Sequence, residues 1–353
     1  MNARSKKCHG VAKHYQKRKL NLAKDELVRI MSIFGFDIKA KEITEPVGGE
    51  THRVFSTDKY IVKICDENRQ TDHPYQYLAN KIISDHMASN AQIINVLAYD
   101  YFEKTDFEVL VMERAKGKLL LPDFANLPAK IQAELFSQIL DATNEIARLT
   151  FDNFGDIGQG NDNFKTFKEY YVCNLNRSIA QISDRNLLRH SELKKITDYV
   201  YNHTDIFDNE KSVFNHTDLH IGNVLYNKGE VTLIFDFDSA VKGPLFLSLP
   251  KIIGLINNMS QLEKRSPYSS LYKDKEFNHL YPILAKKLGN VLADPNIVLK
   301  LNLVGIAEVL TWISENLSEK WAREEIENLI TGEIVTPSNP LESTYYGRTL
   351  KNL

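Results

Sequence analysis

The chain has 353 residues, of which 43% are hydrophobic and 25% charged, and a formal net charge of −2; this is enough polypeptide for two lobes around a sizeable core, in the proportions of an ordinary globular protein. The near-neutral balance gives no whole-chain reason to expect nucleic acid as a partner, and no apolar run approaches the roughly 20 residues that cross a bilayer, so no membrane partner is expected. Three scattered cysteines, Cys8, Cys65 and Cys173, suggest neither a disulfide framework nor a metal knuckle and fit a reducing cytoplasm.

The first two dozen residues are basic, with no acid before Asp25 and no apolar secretory core, and read as a solvated tail. Helical spacing of Leu27, Ile30, Met31 and Phe34, stopped by Gly35, predicts a short helix. Strands are then predicted over Ile38–Thr44, Arg53–Thr57 and Tyr60–Ile64. Gly48 and Gly49 lie between the first two. They form a simple turn or, with Glu50, Thr51 and His52 at the tip, a loop whose backbone can approach a phosphate. Alternation sets Lys63 on the face opposite Val62 and Ile64. A lysine between buried β-branched residues needs an anionic partner, which nucleotide phosphates can supply.

A helix over residues 74–87 precedes two more strands, Ile93–Phe102 and Phe107–Glu113, around the turn at Lys104-Thr105-Asp106. Leu127-Pro128 opens a long helix whose apolar stripe is Ile131, Leu135, Ile139, Ala142, Ile146 and Leu149. The segment F-D-N-F-G-D-I-G-Q-G-N-D-N-F breaks regular structure and is longer than a minimal connector; a helical pair follows to about Tyr201.

From Val213 to Ala240 the chain reads V-F-N-H-T-D-L-H-I-G-N-V-L-Y-N-K-G-E-V-T-L-I-F-D-F-D-S-A. Two β-type runs, Asn223–Tyr226 and Val231–Phe235, flank the turn signal Asn227-Lys228-Gly229, with His216, Asp218 and Asn223 at the first run and Asp236 and Asp238 just past the second. Phosphoryl transfer from a nucleotide needs this inventory: a carboxylate to orient the attacking hydroxyl and take its proton, and an amide oxygen with a second carboxylate to hold Mg²⁺ on the phosphates. Asp218, Asn223 and Asp236 can fill those posts in that order. The competing account is a surface hairpin whose Asp and Asn residues cap turns. His216 and His220 either shape the loop through backbone hydrogen bonds or, with Asp218, hold a metal.

The spacing H-x-D-x-x-x-x-N followed by a strand and D-F resembles the protein-kinase-like superfamily. H-T-D-L-H-I-G-N-V-L and I-F-D-F-D-S-A are more similar to the aminoglycoside phosphotransferase and choline kinase family. G-E-T-H-R-V-F-S-T-D, F-G-D-I-G-Q-G and the missing helix glutamate resemble its hygromycin B phosphotransferase branch. The resemblance implies an α+β bilobal fold with a small antiparallel N-lobe (25–112), a hinge (113–117) and a larger mainly helical C-lobe (118–330), between a basic tail (1–24) and an irregular one (331–353). It further implies ATP and Mg²⁺ as cofactors, with Lys63, Gly49 and Thr51 on the phosphates. Adenine would dock on the Glu113 carbonyl and the Ala115 N–H, with Met112 lining the pocket. The family's helix glutamate, which pairs with the lysine, aligns with Asn80, leaving Asp72 and Asp85 as nearby acids; Ser248 stands where an acid is usual.

Aminoglycosides are polycations, so their site needs carboxylates near Asp218. Candidates are Asp238, which on an extended strand shares a face with Asp236, then Asp152, Asp156 and Asp162 in the glycine-broken segment, and Glu308 and Glu315 beside the stripe Leu303, Ile306, Leu310, Ile313 and Leu317. The expected protein is a monomer that phosphorylates a small cationic hydroxylated molecule, hygromycin-like. The alternatives are a kinase of choline, another amino alcohol or a sugar, a protein kinase, and a nucleotide-binding pseudokinase serving as an interaction module.

Overall fold

The computed structural model describes residues 23–45, 53–65, 77–87, 92–102, 107–157, 163–253, 256, 269–272 and 275–316. The expectations for both tails, for Gly49 and Thr51, and for Asp72 and Asp162 lie outside the described residues.

In the first lobe, helix α1 (Lys24–Ile33) precedes strands β1 (Arg53–Ser56) and β2 (Tyr60–Cys65), helix α2 (Leu78–His86), and strands β3 (Val96–Phe102) and β4 (Phe107–Glu113). The strands form one antiparallel sheet in the order β1-β2-β4-β3. Strand alternation sorts its two faces. Val62, Ile64, Val109 and Val111 join Leu27 and Met31 of α1 in a small core, while Leu110 and Met112 point the other way into the main core. Residues 38–44, predicted as a strand, instead form a single 3₁₀ turn at Ala40–Glu42 and one bridge from Thr44 to Ser56. The Lys39 N–H donates to the Glu42 carboxylate at 3.3 Å, a local bond that competes with ladder formation.

The second lobe contains β5 (Lys118–Leu119), the single turn α3 (Leu121–Phe124), α4 (Ala129–Ile146), β6 (Thr150–Phe151), β7 (Gly155–Asp156), α5 (Phe167–Asp184), α6 (His190–Tyr201), β8 (Ser212–Asn215), β9 (Val224–Asn227), β10 (Glu230–Ile234), β11 (Val241–Gly243), α7 (Tyr281–Leu292) and α8 (Ile297–Asn316). Its two small sheets run β10-β9-β5 and β6-β8-β11-β7. The stripe of α4 is buried at Leu135, Ile139, Ala142 and Ile146, and α4 packs against β8 and β10. Helix α8 lies on α5, where the Tyr171 hydroxyl donates to the Leu303 carbonyl at 2.6 Å. The glycine-broken segment is more regular than predicted: its residues supply β6 and β7, which border the sheet carrying β8.

The lobes meet where Ile93 bridges Ile234 and the Ile234 N–H donates to the Gln92 carbonyl at 2.7 Å. The result is the α+β bilobal arrangement expected from the sequence. Cys173 is disulfide-bonded, a bond that the cysteine count did not suggest, because spacing along the chain does not report Cβ separation in space. Among the described residues no helix is long and apolar enough to cross a membrane.

Candidate active site

Strands β9 and β10 form the predicted hairpin, with Asn227 opposite Glu230. Lys228 and Gly229 between them have φ of 51° and 85°, the paired positive values of a type I′ turn, whose twist matches the strands it joins. Each strand hands its end to a polar loop. At the end of β8, Asn215 donates to the Gly243 carbonyl at 2.7 Å and accepts from the Ser248 hydroxyl at 3.1 Å. The position where an acid is usual is therefore occupied by a buried hydroxyl that fixes the loop's approach.

His216 is 2% exposed, and its Nε2 donates to the Phe235 carbonyl at 2.9 Å. Burial holds its pKa below the ordinary histidine value, so the ring is neutral and ties the loop to the end of β10. Among the described residues no cluster of three His, Cys, Asp or Glu could hold a metal ion, and the alternative of a His216, Asp218 and His220 metal site is not realised.

The Asp218 carboxylate faces three groups. Asn223 Nδ2 donates to the Asp218 carbonyl at 2.9 Å and lies 3.4 Å from Oδ2. His220 Nε2 stands 3.6 Å from Oδ2, and its Nδ1 accepts the Gly222 N–H at 3.0 Å, so the proton resides on Nε2, toward Asp218. Gly222 is needed here, because a Cβ would meet His220 Cε1 at 2.5 Å and Nδ1 at 2.7 Å. The third group is Lys251, in the helical residues 249–253, with its Nζ 3.7 Å from Asp218 Oδ1 and 3.5 Å from Glu308 Oε1 on α8. Burial alone would raise the Asp218 pKa, but the His220 and Lys251 contacts outweigh it and hold the carboxyl below its ordinary value. The group is therefore an ionised carboxylate, chemically able to accept a proton.

Asp236 follows β10 in the left-handed region, at φ 70° and ψ 53°, a conformation that costs a non-glycine residue on the order of 1 kcal/mol and that Asp tolerates better than most. The chain then makes a 3₁₀ turn over Phe237–Ser239 rather than continuing as a strand. Lys63 reaches both acids of this turn: its ammonium bonds Asp236 Oδ1 and lies 3.0 Å from Asp238 Oδ2. Burial would lower the pKa of this lysine, yet the two carboxylates raise it above the usual value, so it is a permanent cation. Asp238, assigned from the sequence as a substrate carboxylate, is thus bonded to Lys63. The extended geometry behind that assignment does not form, and its side chain, 6% exposed, is engaged by Lys63 and by Asn80 Nδ2 at 2.7 Å.

Asn80, on α2, is fully buried and also accepts the Phe237 N–H at 3.3 Å, while Asp85 faces Lys81 on the exposed side of the same helix. At the end of β4, Met112 is 7% exposed, Glu113 pairs with Tyr60, the Arg114 N–H donates to the Lys59 carbonyl at 2.8 Å, and Ala115 is the next residue in the connection between lobes. Asp152 is exposed, and Asp156 accepts the Tyr170 hydroxyl at 2.6 Å. Glu308 lies beside Asp218 through Lys251, a residue the sequence reading passed over; its signal was one lysine inside the apolar run L-S-L-P-K-I-I.

The donor set suits a hard divalent cation. The Nδ2 of Asn223 is committed to the Asp218 carbonyl, which orients the amide with Oδ1 as its remaining acceptor. The Phe235 N–H donates to the Asn223 carbonyl at 3.1 Å, setting Asn223 beside the residue that precedes Asp236. One carboxylate and one amide oxygen, completed by phosphate oxygens and water, is a common Mg²⁺ environment.

A family model described as the phosphotransferase enzyme family matches residues 42–247, more than half of the chain. No curated protein sequence matches. Among solved structures, a thermostable mutant of the aminoglycoside phosphotransferase APH(4)-Ia in its apo form aligns with TM-score 0.57 at 16% identity, over 87% of this chain and 99% of its own. A variant of that enzyme in ternary complex with AMP-PNP and hygromycin B gives 0.57 at 14%, over 87% and 98%. The complex of gentamicin with APH(2'')-IIa gives 0.61 at 14%, over 91% and 99%. At these identities the structural likeness establishes a shared kinase-like fold.

Proposed function

Because the chain belongs to the phosphotransferase enzyme family, we propose that it transfers the γ-phosphoryl group of ATP to a hydroxyl of a small cationic acceptor of the aminoglycoside or aminocyclitol class. The observation that supports this best is the convergence of Asp218, Asn223, Asp236 and Lys63 on the two ends of one hairpin. Asp218 is the base that orients the acceptor hydroxyl and takes its proton. Asn223 and Asp236 would hold Mg²⁺, which would supply charge neutralisation at the phosphates. Lys63 holds the α- and β-phosphates. The connection at Met112, Glu113 and Ala115 serves as the adenine hinge between residues 25–112 and 118–330, and Gly49 and Thr51 belong to the phosphate loop.

The acceptor class is supported by the hygromycin B and gentamicin complexes of structural neighbours and by Glu308 near Asp218. A second reading, an acceptor with fewer amines such as an amino alcohol, is favoured by Lys251, whose ammonium already pairs with both Asp218 and Glu308. Mass spectrometry of reactions containing Mg·ATP and a panel of hygromycin B, gentamicin, choline, a neutral sugar and a peptide tests these readings. Addition of one phosphoryl group to an amino-sugar acceptor is expected. Transfer to choline alone would move the assignment to the second reading, and no transfer to any acceptor, with no nucleotide consumed, would overturn both.

A further inference from the structure

Lys63 requires a carboxylate partner that stays when nucleotide arrives, because phosphates and Mg²⁺ bring their own demands on the acids around it. Asp236 is poorly suited to stay. Its side chain is 36% exposed, it follows Phe235, whose N–H bonds the Asn223 carbonyl, and in the proposed mechanism it serves the metal. Asp238 differs on every count: its side chain is 6% exposed, one oxygen lies 3.0 Å from Lys63 Nζ, and the other accepts Asn80 Nδ2 at 2.7 Å. The same Asn80 side chain accepts the Phe237 N–H at 3.3 Å, so it grips the turn carrying Asp238 at two points.

We infer that Asp238 is the resident counter-ion of Lys63 and Asn80 its anchor, so that the negative charge expected on helix α2 has been moved across the cleft to the turn after β10. Asn80 and Asp238 are positioning residues. A glutamate on α2 beside Asp236 and Asp238 would have put three carboxylates around one ammonium; a neutral amide on the helix avoids that repulsion and supplies one donor and one acceptor instead. With Mg·ATP bound, Asp236 would be free to serve the metal while Asp238 would keep Lys63 aimed at the phosphates and, through Asn80, keep α2 fastened to the turn after β10.

This inference rests on the nucleotide side of the proposed function and not on the acceptor. It is tested on the full chain by measuring Mg·ADP and Mg·AMP-PNP affinity without acceptor, and steady-state kinetics with the acceptor found in the panel. Asp238→Asn, isosteric and able to keep the bond to Asn80, is expected to weaken nucleotide binding about tenfold or more, since it strips a buried charge of one partner. The acceptor KM and the Mg²⁺ concentration for half-maximal rate should stay unchanged. Asn80→Asp combined with Asp238→Asn returns the carboxylate to α2 and should recover most of the affinity, which a merely structural defect would not do. If the double variant binds no better than Asp238→Asn, or if Asp238→Asn shifts the acceptor KM or the Mg²⁺ requirement instead, the inference is wrong. Unaltered binding in Asp238→Asn also overturns it, whereas a parent protein that binds no Mg·nucleotide would show that the kinase reading itself fails.

Discussion

Asp218 sits between a backbone-oriented imidazole and a lysine, and its acidity follows from both. Because its pKa is depressed in the folded chain, the carboxylate is ionised through the neutral range, and activity that depends on it is lost only as pH falls through that lowered value. Lys251→Met removes the neighbouring ammonium, so the acidic limb of the pH–rate profile should move to higher pH; a limb that stays in place would show that Lys251 does not act on the base. Asp218→Asn should leave nucleotide affinity nearly intact and lower kcat by roughly 10²–10⁴-fold, the usual contribution of a positioned general base. Equal turnover in variant and parent would remove Asp218 from the mechanism. Asp236→Ala and Asn223→Ala should each raise the Mg²⁺ concentration needed for half-maximal rate, Asp236→Ala more strongly because a carboxylate brings charge as well as geometry. Titration of Mg²⁺ at fixed ATP decides this.

At the scale of the element, the hairpin separates stability from chemistry. Gly229, at φ 85° in the turn, faces away from the catalytic loop, and Gly229→Ala should cost about 1 kcal/mol of stability with kcat unchanged. Denaturant unfolding alongside steady-state kinetics measures the two effects separately. Gly222 lies at the opposite end of β9, under the His220 ring. Gly222→Ala should displace that ring, break the bond to Nδ1, and lower kcat more than stability. A variant with parental turnover would mean that His220 does not need its present orientation.

Across the whole molecule, Lys63 links the N-terminal sheet by charge to the turn after β10, in addition to the backbone bridge from Ile93 to Ile234. A ligand that binds the folded state alone raises apparent stability by mass action. Saturating Mg·AMP-PNP should therefore raise the unfolding midpoint of the parent, and Lys63→Ala should abolish most of that shift; a full shift in the variant would exclude Lys63 from the phosphate site. For the proposed cationic acceptor, a net charge of −2 is too small to steer it from a distance, so attraction would be local to Glu308 and its neighbours. It should weaken as ionic strength rises toward 0.15 M, where the Debye length is about 8 Å, and the acceptor KM should increase accordingly.

The local order of the chain was legible because it is set by neighbours in sequence. Alternation in Tyr60–Ile64 and Val109–Met112 divides the sheet faces, Asn227-Lys228-Gly229 makes the turn, and the stripe of α4 is buried as its spacing predicts. The spacing of Asp218, Asn223 and Asp236 was legible for the same reason, since a hairpin of fixed length joins them. Two sites resisted. Residues 38–44 carry the β-type residues Ile38, Ile43 and Thr44, but a side-chain bond within the segment replaces most of the ladder. Asp238 reads as a neighbour of Asp236 on one strand face, but the left-handed backbone at Asp236 ends the strand and turns Asp238 toward Lys63, 175 residues away in sequence. The sequence by itself determined which residues could do the chemistry. Only the tertiary structure decided that Asp236 and Asp238 both reach the lysine, that Asn80 bonds Asp238, and that Lys251 stands between Asp218 and Glu308, because a charge in a partly buried cleft takes its partner from whatever the fold brings within about 4 Å.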